Sequence, residues 1–270
     1  MPPAARNEMR FAIMRYISGV HTDVGIKKKT NQDSMLLQHA QTERGEAVFA
    51  VVCDGMGGLK KGELASAEVI RACSDWFRNY FPTIIPNGVL DTDKLRASWL
   101  ELMHTQDDSI SRYGASSGFN LGTTLVCLLL FNGKYYIANI GDSRVYLLSD
   151  NVYQLTHDHT LIQQRIDQGL LTLDQAQTDP DRSVLLQCIG ASDYVEPDFF
   201  AGDVVADTCF LLCCDGFRHM VTPSEMYAVL NARLMTDTGR IEASLRQVAE
   251  TLKSRGETDN ISAILIRTCK

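Results

Sequence analysis

A chain of 270 residues, 45% hydrophobic and 22% charged, is long enough for one large folded domain or two small ones around a substantial core. Its formal net charge of −7 excludes a general nucleic-acid binder, which needs a basic surface; Lys27, Lys28 and Lys29 make one local basic spot. No apolar run approaches a membrane span, the longest near residues 125–131 being strand-sized, and the first residues lack the layout of a secretory signal.

Residues 1–14 read as an N-terminal extension to a single domain over residues 15–270. Val, Ile, Leu, Tyr and Phe enrichment predicts strands at residues 15–20, 34–38 and 47–53. Helices are expected next over 62–81 and 91–112, with residues 82–90 as the loop between them. In the first, Leu64, Val69, Ile70, Cys73, Trp76, Phe77 and Tyr80 recur at three- and four-residue spacing; in the second, Leu95, Trp99, Leu102 and Met103 do. Strands follow at 123–131 and 134–140, joined by the hairpin signal Asn132-Gly133, then the tight turn Gly141-Asp142-Ser143 and a strand at 144–148.

Residues 156–200 are less regular, with short helices over 161–169 and 172–177 and a break at Asp179-Pro180, and read as a flap-like insertion over one end of the sheet. A strand at 209–214, helices over 223–232 and 240–253, and a strand at 261–267 complete the chain. Pro223 suits a first helical turn behind Thr222 as cap. Hairpin-linked strands with helix pairs point to an α+β layered fold with mainly antiparallel sheets. Cys53, Cys127, Cys188, Cys209, Cys213 and Cys214 lie in apolar segments without paired CxxC spacing, so they read as reduced core residues of a cytoplasmic protein.

The chemistry lies in where the aspartates fall. Asp54 ends one apolar run and Asp215 another, Asp142 sits in a turn, and Asp33 and Asp259 each immediately precede a strand. In antiparallel sheets the end of one strand lies beside the start of its neighbour, so all five carboxylates can gather at one edge. Their mutual repulsion would raise one another's pKa values, and divalent cations would remove that cost. An oxygen-only set favours Mg²⁺, Mn²⁺ or Ca²⁺ over Zn²⁺. The glycines of Asp54-Gly55-Met56-Gly57-Gly58 allow close backbone approach to an ion or phosphate. The loop lacks P-loop spacing, and Lys60 stands where a dinucleotide fingerprint needs its third glycine.

With these residues the chain resembles the PPM-type metal-dependent serine/threonine phosphatases (protein phosphatase 2C), bacterial members in particular. The matching blocks are GIKKKTNQDS (25–34), VVCDGMGG (51–58), GELAS (62–66), LGTTLV (121–126), IGDSRVY (140–146), LTHDHT (155–160), LLCCDGF (211–217) and TDNISAILI (258–266), in family order. The resemblance implies a four-layer αββα sandwich with two mainly antiparallel sheets and hydrolysis of phosphoserine and phosphothreonine by water held between two Mn²⁺ or Mg²⁺ ions. It gives Asp54 as the bridging ligand with the Gly55 carbonyl, Asp215 and Asp259 on the first ion and Asp33 at the second. Gln32 and Asn260 are expected beside them, and Asp142 with Asp215 at a third, weaker ion. Asp54, Asp215 and Lys28 are the expected catalytic residues.

The sequence departs from the family pattern at three places. Lys28 replaces the usual phosphate-binding arginine and loses its bidentate fork. Gln32 replaces a glutamate and removes a charge. Met56 and Leu59 stand where some relatives carry histidines, which leaves no evident leaving-group acid; His157 and His159 read as structural. The resemblance further implies phosphorylated protein substrates, a cognate serine/threonine kinase, and a cytoplasmic, monomeric chain with no nucleic acid or membrane partner. The reading from another class is a catalytically weak phosphoprotein-binding pseudophosphatase.

Overall fold

The computed structural model describes residues 14–57, 61–176 and 178–270. Strands and helices are numbered in chain order. One antiparallel sheet runs β1 (Arg15–Asp23), β11 (Ile261–Cys269), β10 (Cys209–Cys213), β7 (Arg144–Leu148) and β8 (Val152–Gln154). The other runs β2 (Asp33–Thr42), β3 (Gly45–Gly57), β5 (Leu125–Phe131), β6 (Lys134–Ile140) and β9 (Asp198–Asp203), with β4 (Leu121–Thr123) paired to the far end of β3.

The two-residue alternation of β3 explains the layering. Val48, Ala50 and Val52 enter one core with Val126, Leu128 and Leu130 of β5 and the apolar residues of β10 and β11. Ala47, Phe49, Val51 and Cys53 point the other way, into a second core with helices α1 (Gly62–Asp75) and α2 (Thr92–Ser117). On the outer face of the first sheet, α6 (Pro223–Leu230) and α7 (Thr238–Ser254) contribute Met226, Leu230, Ile241, Leu245 and Leu252. The result is the expected αββα order with two antiparallel sheets. None of the eight cysteines forms a disulfide among the described residues, and seven are buried. Among the described residues no helix is long and apolar enough to cross a membrane.

Phe49 anchors the second core, its ring 5.2 Å from Trp76 and 5.3 Å from Phe77. Each such pair adds about 1 kcal/mol beyond the area it buries. The helix expected over 62–81 is α1 running on into a π-helical turn, Trp76–Tyr80. Two residues of its expected apolar face are exposed, Leu64 and Tyr80. The buried face starts instead with Gly62, Ala65 and Ser66. Small residues stand there because the helix start presses on the β3 backbone: a Cβ on Gly62 would lie 2.6 Å from the Gly55 carbonyl oxygen. Ser66 is held by donating its hydroxyl to the Gln32 carbonyl at 2.6 Å.

Other boundaries shift for local reasons. The strand expected over 123–131 breaks at Thr124 into β4 and β5, because Thr124 N turns aside to donate to the Asp54 carbonyl at 2.9 Å. Edge strands β8 and β9 were not expected: one is three residues long, the other carries Gly202 and is only partly buried. The Asn132-Gly133 hairpin forms with both residues at positive φ, as its turn requires. Thr222 caps α6 with a full capping box to Glu225.

Residues 156–200 carry α3 (Leu161–Asp167) and α4 (Leu173–Ala176) and return to pair Ile189 with Thr123 beside the end of β3. Of the expected N-terminal extension only Met14 lies within the described residues, packed on the first core. Leu59, Lys60 and Gln177 lie outside them.

Candidate metal centre

Both sheets deliver carboxylates to one edge. In the second sheet Asp33 opens β2 directly opposite Asp54 on β3. The pair is fixed through main-chain and hydroxyl contacts: Gly55 N donates to Gln32 O at 3.2 Å and Asp54 N to Thr124 Oγ1 at 2.9 Å. In the first sheet β10 ends at Cys213, two residues before Asp215, which opens the short helix α5 (Asp215–Arg218), and Asp259 precedes β11. Gly216 lets the two segments touch, since a Cβ there would strike the Asn260 carbonyl oxygen.

Asn260 joins the sheets. Its Oδ1 accepts from Gln32 N at 2.9 Å, and its Nδ2 donates to Val24 O at 2.9 Å and Thr30 O at 3.3 Å. One side chain thus holds the loop carrying Lys28 and the start of β2 against the start of β11. Gln32 lies beside Asp33, and among the described residues its hydrogen bonds all run through the main chain.

Both Asp33 oxygens and Oδ1 of Asp215 are buried and lack a hydrogen-bond partner among the described residues. Burial, then the charges of Asp33, Asp215, Asp142 and Asp259, pushes the Asp54 carboxyl far above the ordinary range. Asp33 is raised by burial, against the pull of the nearby Ser262 hydroxyl and Cys214 thiol, and further by the charges of Asp215 and Asp259. Buried carboxylates left without partners are costly unless a cation joins them, so this donor set fits hard divalent ions. The tightest group is Asp33, Asp54 and Cys214, with one ligand atom of each within 4.8 Å of the others. The Cys214 sulfur belongs to the wall. It accepts from Ser262 N at 3.2 Å, and burial pushes its thiol well up, away from the thiolate a metal would need.

Lys28 reaches the site, where its Nζ lies 2.9 Å from Asp259 Oδ1. Burial opposes its charge, but the hydrogen bond and charge of Asp259 hold its pKa above the usual value. Asp142 also comes to this edge, yet its carboxylate is already engaged: Arg218 Nη2 donates to its Oδ2 at 3.1 Å and to its carbonyl oxygen at 3.0 Å. His159 fixes the turn that carries Asp142, its N donating to Gly141 O at 3.0 Å, while its Nε2 lies 3.1 Å from Asp198. His157 pairs with Asp167 on the surface.

Sequence reasoning missed three participants. Arg218 lies one helical turn beyond Asp215, the Arg144–Asp158 pair sits behind it, and His219 stands 3.7 Å from Asp215 and 3.6 Å from Glu257. Burial opposes charge on His219, but Glu257 and Asp215 hold its pKa above the ordinary value. The one signal was their spacing: Arg218 and His219 fall three and four residues after Asp215, the offsets that share a helical face.

An aspartate cluster at the joined edges of two antiparallel sheets is the arrangement the motif blocks lead one to expect, and the sequence profile of the family described as Protein phosphatase 2C matches residues 25–265. The chain belongs to the protein phosphatase 2C family. It is similar to the serine/threonine phosphatase stp of Listeria welshimeri, 30% identical over 226 residues that cover 81% of this chain and 83% of that one. Among solved structures, a serine/threonine phosphatase of Staphylococcus aureus superposes with a TM-score of 0.79 at 27% identity, covering 93% of this chain and 94% of that one. The fold is also that of the catalytic domain of the phosphatase PstP, solved in complex with two manganese ions, with a TM-score of 0.74 at 24% identity over 96% and 99% of the two chains. In this protein phosphatase 2C chain the matched span contains all five clustered aspartates, with Lys28 on the loop beside them.

Proposed function

We propose that this chain is a metal-dependent protein serine/threonine phosphatase whose two cations are held by Asp33, Asp54, the Gly55 carbonyl, Asp215 and Asp259. The observation that carries the reading is the set of buried, unpartnered oxygens of Asp33 and Asp215 beside Asp54. Asp142, bound by Arg218, is left out of that set. Divalent ions held there supply an acidified water and positive charge for the phosphoryl oxygens. The chain does the rest. Asp54 and Gly55 are locked by Thr124 and Gln32, Asn260 sets the two sheet edges in register, and Lys28 brings one positive charge to the mouth of the site for the substrate phosphate.

Manganese or magnesium fits the all-oxygen set, and the manganese-bound PstP favours the former. In this reading the substrates are phosphorylated proteins made by a cognate serine/threonine kinase, and the chain works as a cytoplasmic, monomeric signalling enzyme. Residues 156–200, tied by Ile189 to the strand beside Gly55, form a flap that selects substrate.

The test is hydrolysis of p-nitrophenyl phosphate and a phosphothreonine peptide with Mn²⁺ or EDTA, for the wild type and Asp215→Ala. Turnover of both substrates that needs manganese and is lost in the variant supports the proposal. Phosphopeptide binding with no turnover would replace it by the phosphoprotein-binding reading.

A further inference from the structure

Behind Asp142 lies a buried charge network that the phosphatase reaction does not call for. Arg218 Nη2 donates to two oxygens of Asp142 and lies 3.4 Å from Asp158 Oδ2. Asp158 is gripped from its other side by Arg144, whose Nε and Nη2 donate to it at 2.8 and 2.7 Å. Arg144 also donates to the Tyr146 hydroxyl at 2.8 Å. The side chains of Asp142 and Arg218 are 10% and 11% exposed. Two carboxylates and two guanidiniums therefore balance in a nearly dry pocket. Arg144 offsets Asp158, and Arg218 offsets Asp142.

Asp142 and Asp215 are the two residues to which the family resemblance assigns a third, weaker cation. We infer that Arg218 takes that cation's place, so that this chain holds two divalent ions and fixes Asp142 with its own guanidinium. The inference rests on the two-ion reading of the neighbouring cluster.

Geometry and charge both support it. An ion bound through Asp142 Oδ2 would sit about 2.2 Å from that oxygen, against a guanidinium nitrogen already 3.1 Å away. Arginine cannot shed its proton to make way, as a lysine or histidine could. Nor is it loosely placed: Asp158 draws it from behind, and Arg144 holds Asp158 in position. The arrangement also ties the end of α5 to the turn before β7. Metal dependence should then be that of the two-ion cluster alone, with no further weak ion bound beside Asp142.

Equilibrium dialysis of the whole chain against Mn²⁺, with unbound ion counted by electron paramagnetic resonance, tests the inference without reference to turnover. The wild type should bind two ions up to millimolar manganese, and Arg218→Met should gain a third, weaker one. Asp142→Asn should keep the wild-type count, because Asp142 ligates neither ion. A third ion in the wild type overturns the inference while leaving the two-ion site standing, and so does loss of an ion in Asp142→Asn. A folded Arg218→Met that still binds only two ions overturns Arg218 as the occupant. Should that variant not fold, the wild-type and Asp142→Asn counts decide. Fewer than two ions on the wild type overturns the underlying phosphatase reading, and this inference with it.

Discussion

Asp33 and Asp54 stand directly opposite each other on β2 and β3, two carboxylates in one antiparallel register pair. Like charges so placed weaken the ladder, and burial makes the repulsion worse. From an ordinary value of 3.8, Asp33 is pushed up to about 6, first by burial. A carboxyl whose pKa is raised on folding binds protons more tightly in the folded chain. Its contribution to stability is complete below the unfolded value and is lost as pH rises through the folded one. The metal-free chain should therefore melt at a lower temperature at about pH 7.5 than at about pH 5. Asp54→Asn should flatten that fall. Manganese at 100 times its Kd should restore about 2.7 kcal/mol at the higher pH and much less at the lower. Thermal melts in EDTA and in Mn²⁺ at both pH values check this; a metal-free wild type no less stable at the higher pH, with Asp54→Asn behaving alike, would refute it.

Lys28 presents two opposing effects. Its ion pair with Asp259 neutralises an expected metal ligand, yet the same ammonium is the cation placed to meet a substrate phosphate. Lys28→Ala should raise KM for a phosphothreonine peptide about fivefold to tenfold, the loss of one charge-assisted hydrogen bond. Manganese affinity should rise, because Asp259 no longer has a competing cation. Lys28→Arg should lower KM by restoring a bidentate fork. Steady-state kinetics at saturating Mn²⁺ separate the two effects, and unchanged kcat and KM in Lys28→Ala would remove Lys28 from substrate binding.

Most of the sheet framework was legible because its strands are apolar runs closed by turn residues. The span expected over 134–140 coincides with β6, and the 47–53 core of β3 lies wholly inside it. The aspartate cluster was legible for a related reason: each carboxylate sits at or beside the end of an apolar run, and such ends converge at a sheet edge. What stayed hidden depended on partners far away in sequence. Leu64 looked like a core residue by spacing, but the close approach of Gly62 to Gly55 turns the helix so that Ala65 and Ser66 face inward. Strand β9 exists because β6 offers an open edge, not because its own residues insist on it. Arg218 carried no motif signal, since its meaning lies in Asp142, 76 residues earlier.

Gly55 and Gly62 meet back to back where β3 hands over to α1. A Cβ on Gly55 would strike the Gly62 carbonyl oxygen and lie 2.5 Å from the Gln32 carbonyl oxygen. These are main-chain atoms held by hydrogen bonds, so they cannot simply rotate away. Gly55→Ala should cost about 3 kcal/mol of stability and weaken manganese binding, because it displaces the carbonyl expected to face the ions. Gly62→Ala should cost about as much, and the double variant less than the sum, since either one already forces the two segments apart. Urea unfolding of the three variants gives the coupling, and an additive double variant would show that the two glycines do not share one contact.

Asn260 is the last residue on which the site's geometry turns. Its amide accepts from Gln32 N and donates to Val24 O and Thr30 O, three main-chain groups on the segment that leads into β2. Replacing it by alanine leaves those groups unpaired in a half-buried setting, worth about 1–3 kcal/mol of stability. The larger consequence is registration. Without Asn260, the strand start that positions Asp33 is no longer tied to the strand start that follows Asp259. Asn260→Ala should therefore weaken manganese binding tenfold or more, an effect typical of residues that orient ligands without touching the ion. Raising manganese should recover most of kcat, since the aspartates themselves remain. Asn260→Asp keeps the acceptor for Gln32 N but loses both donated bonds and adds a carboxylate to a cluster already crowded with them, so it should recover less stability than the lost contacts alone suggest. Manganese titrations of activity at fixed substrate distinguish the outcomes: a kcat that stays low at saturating metal would mean that Asn260 acts on the reaction itself and not through the placement of Asp33 and Asp259.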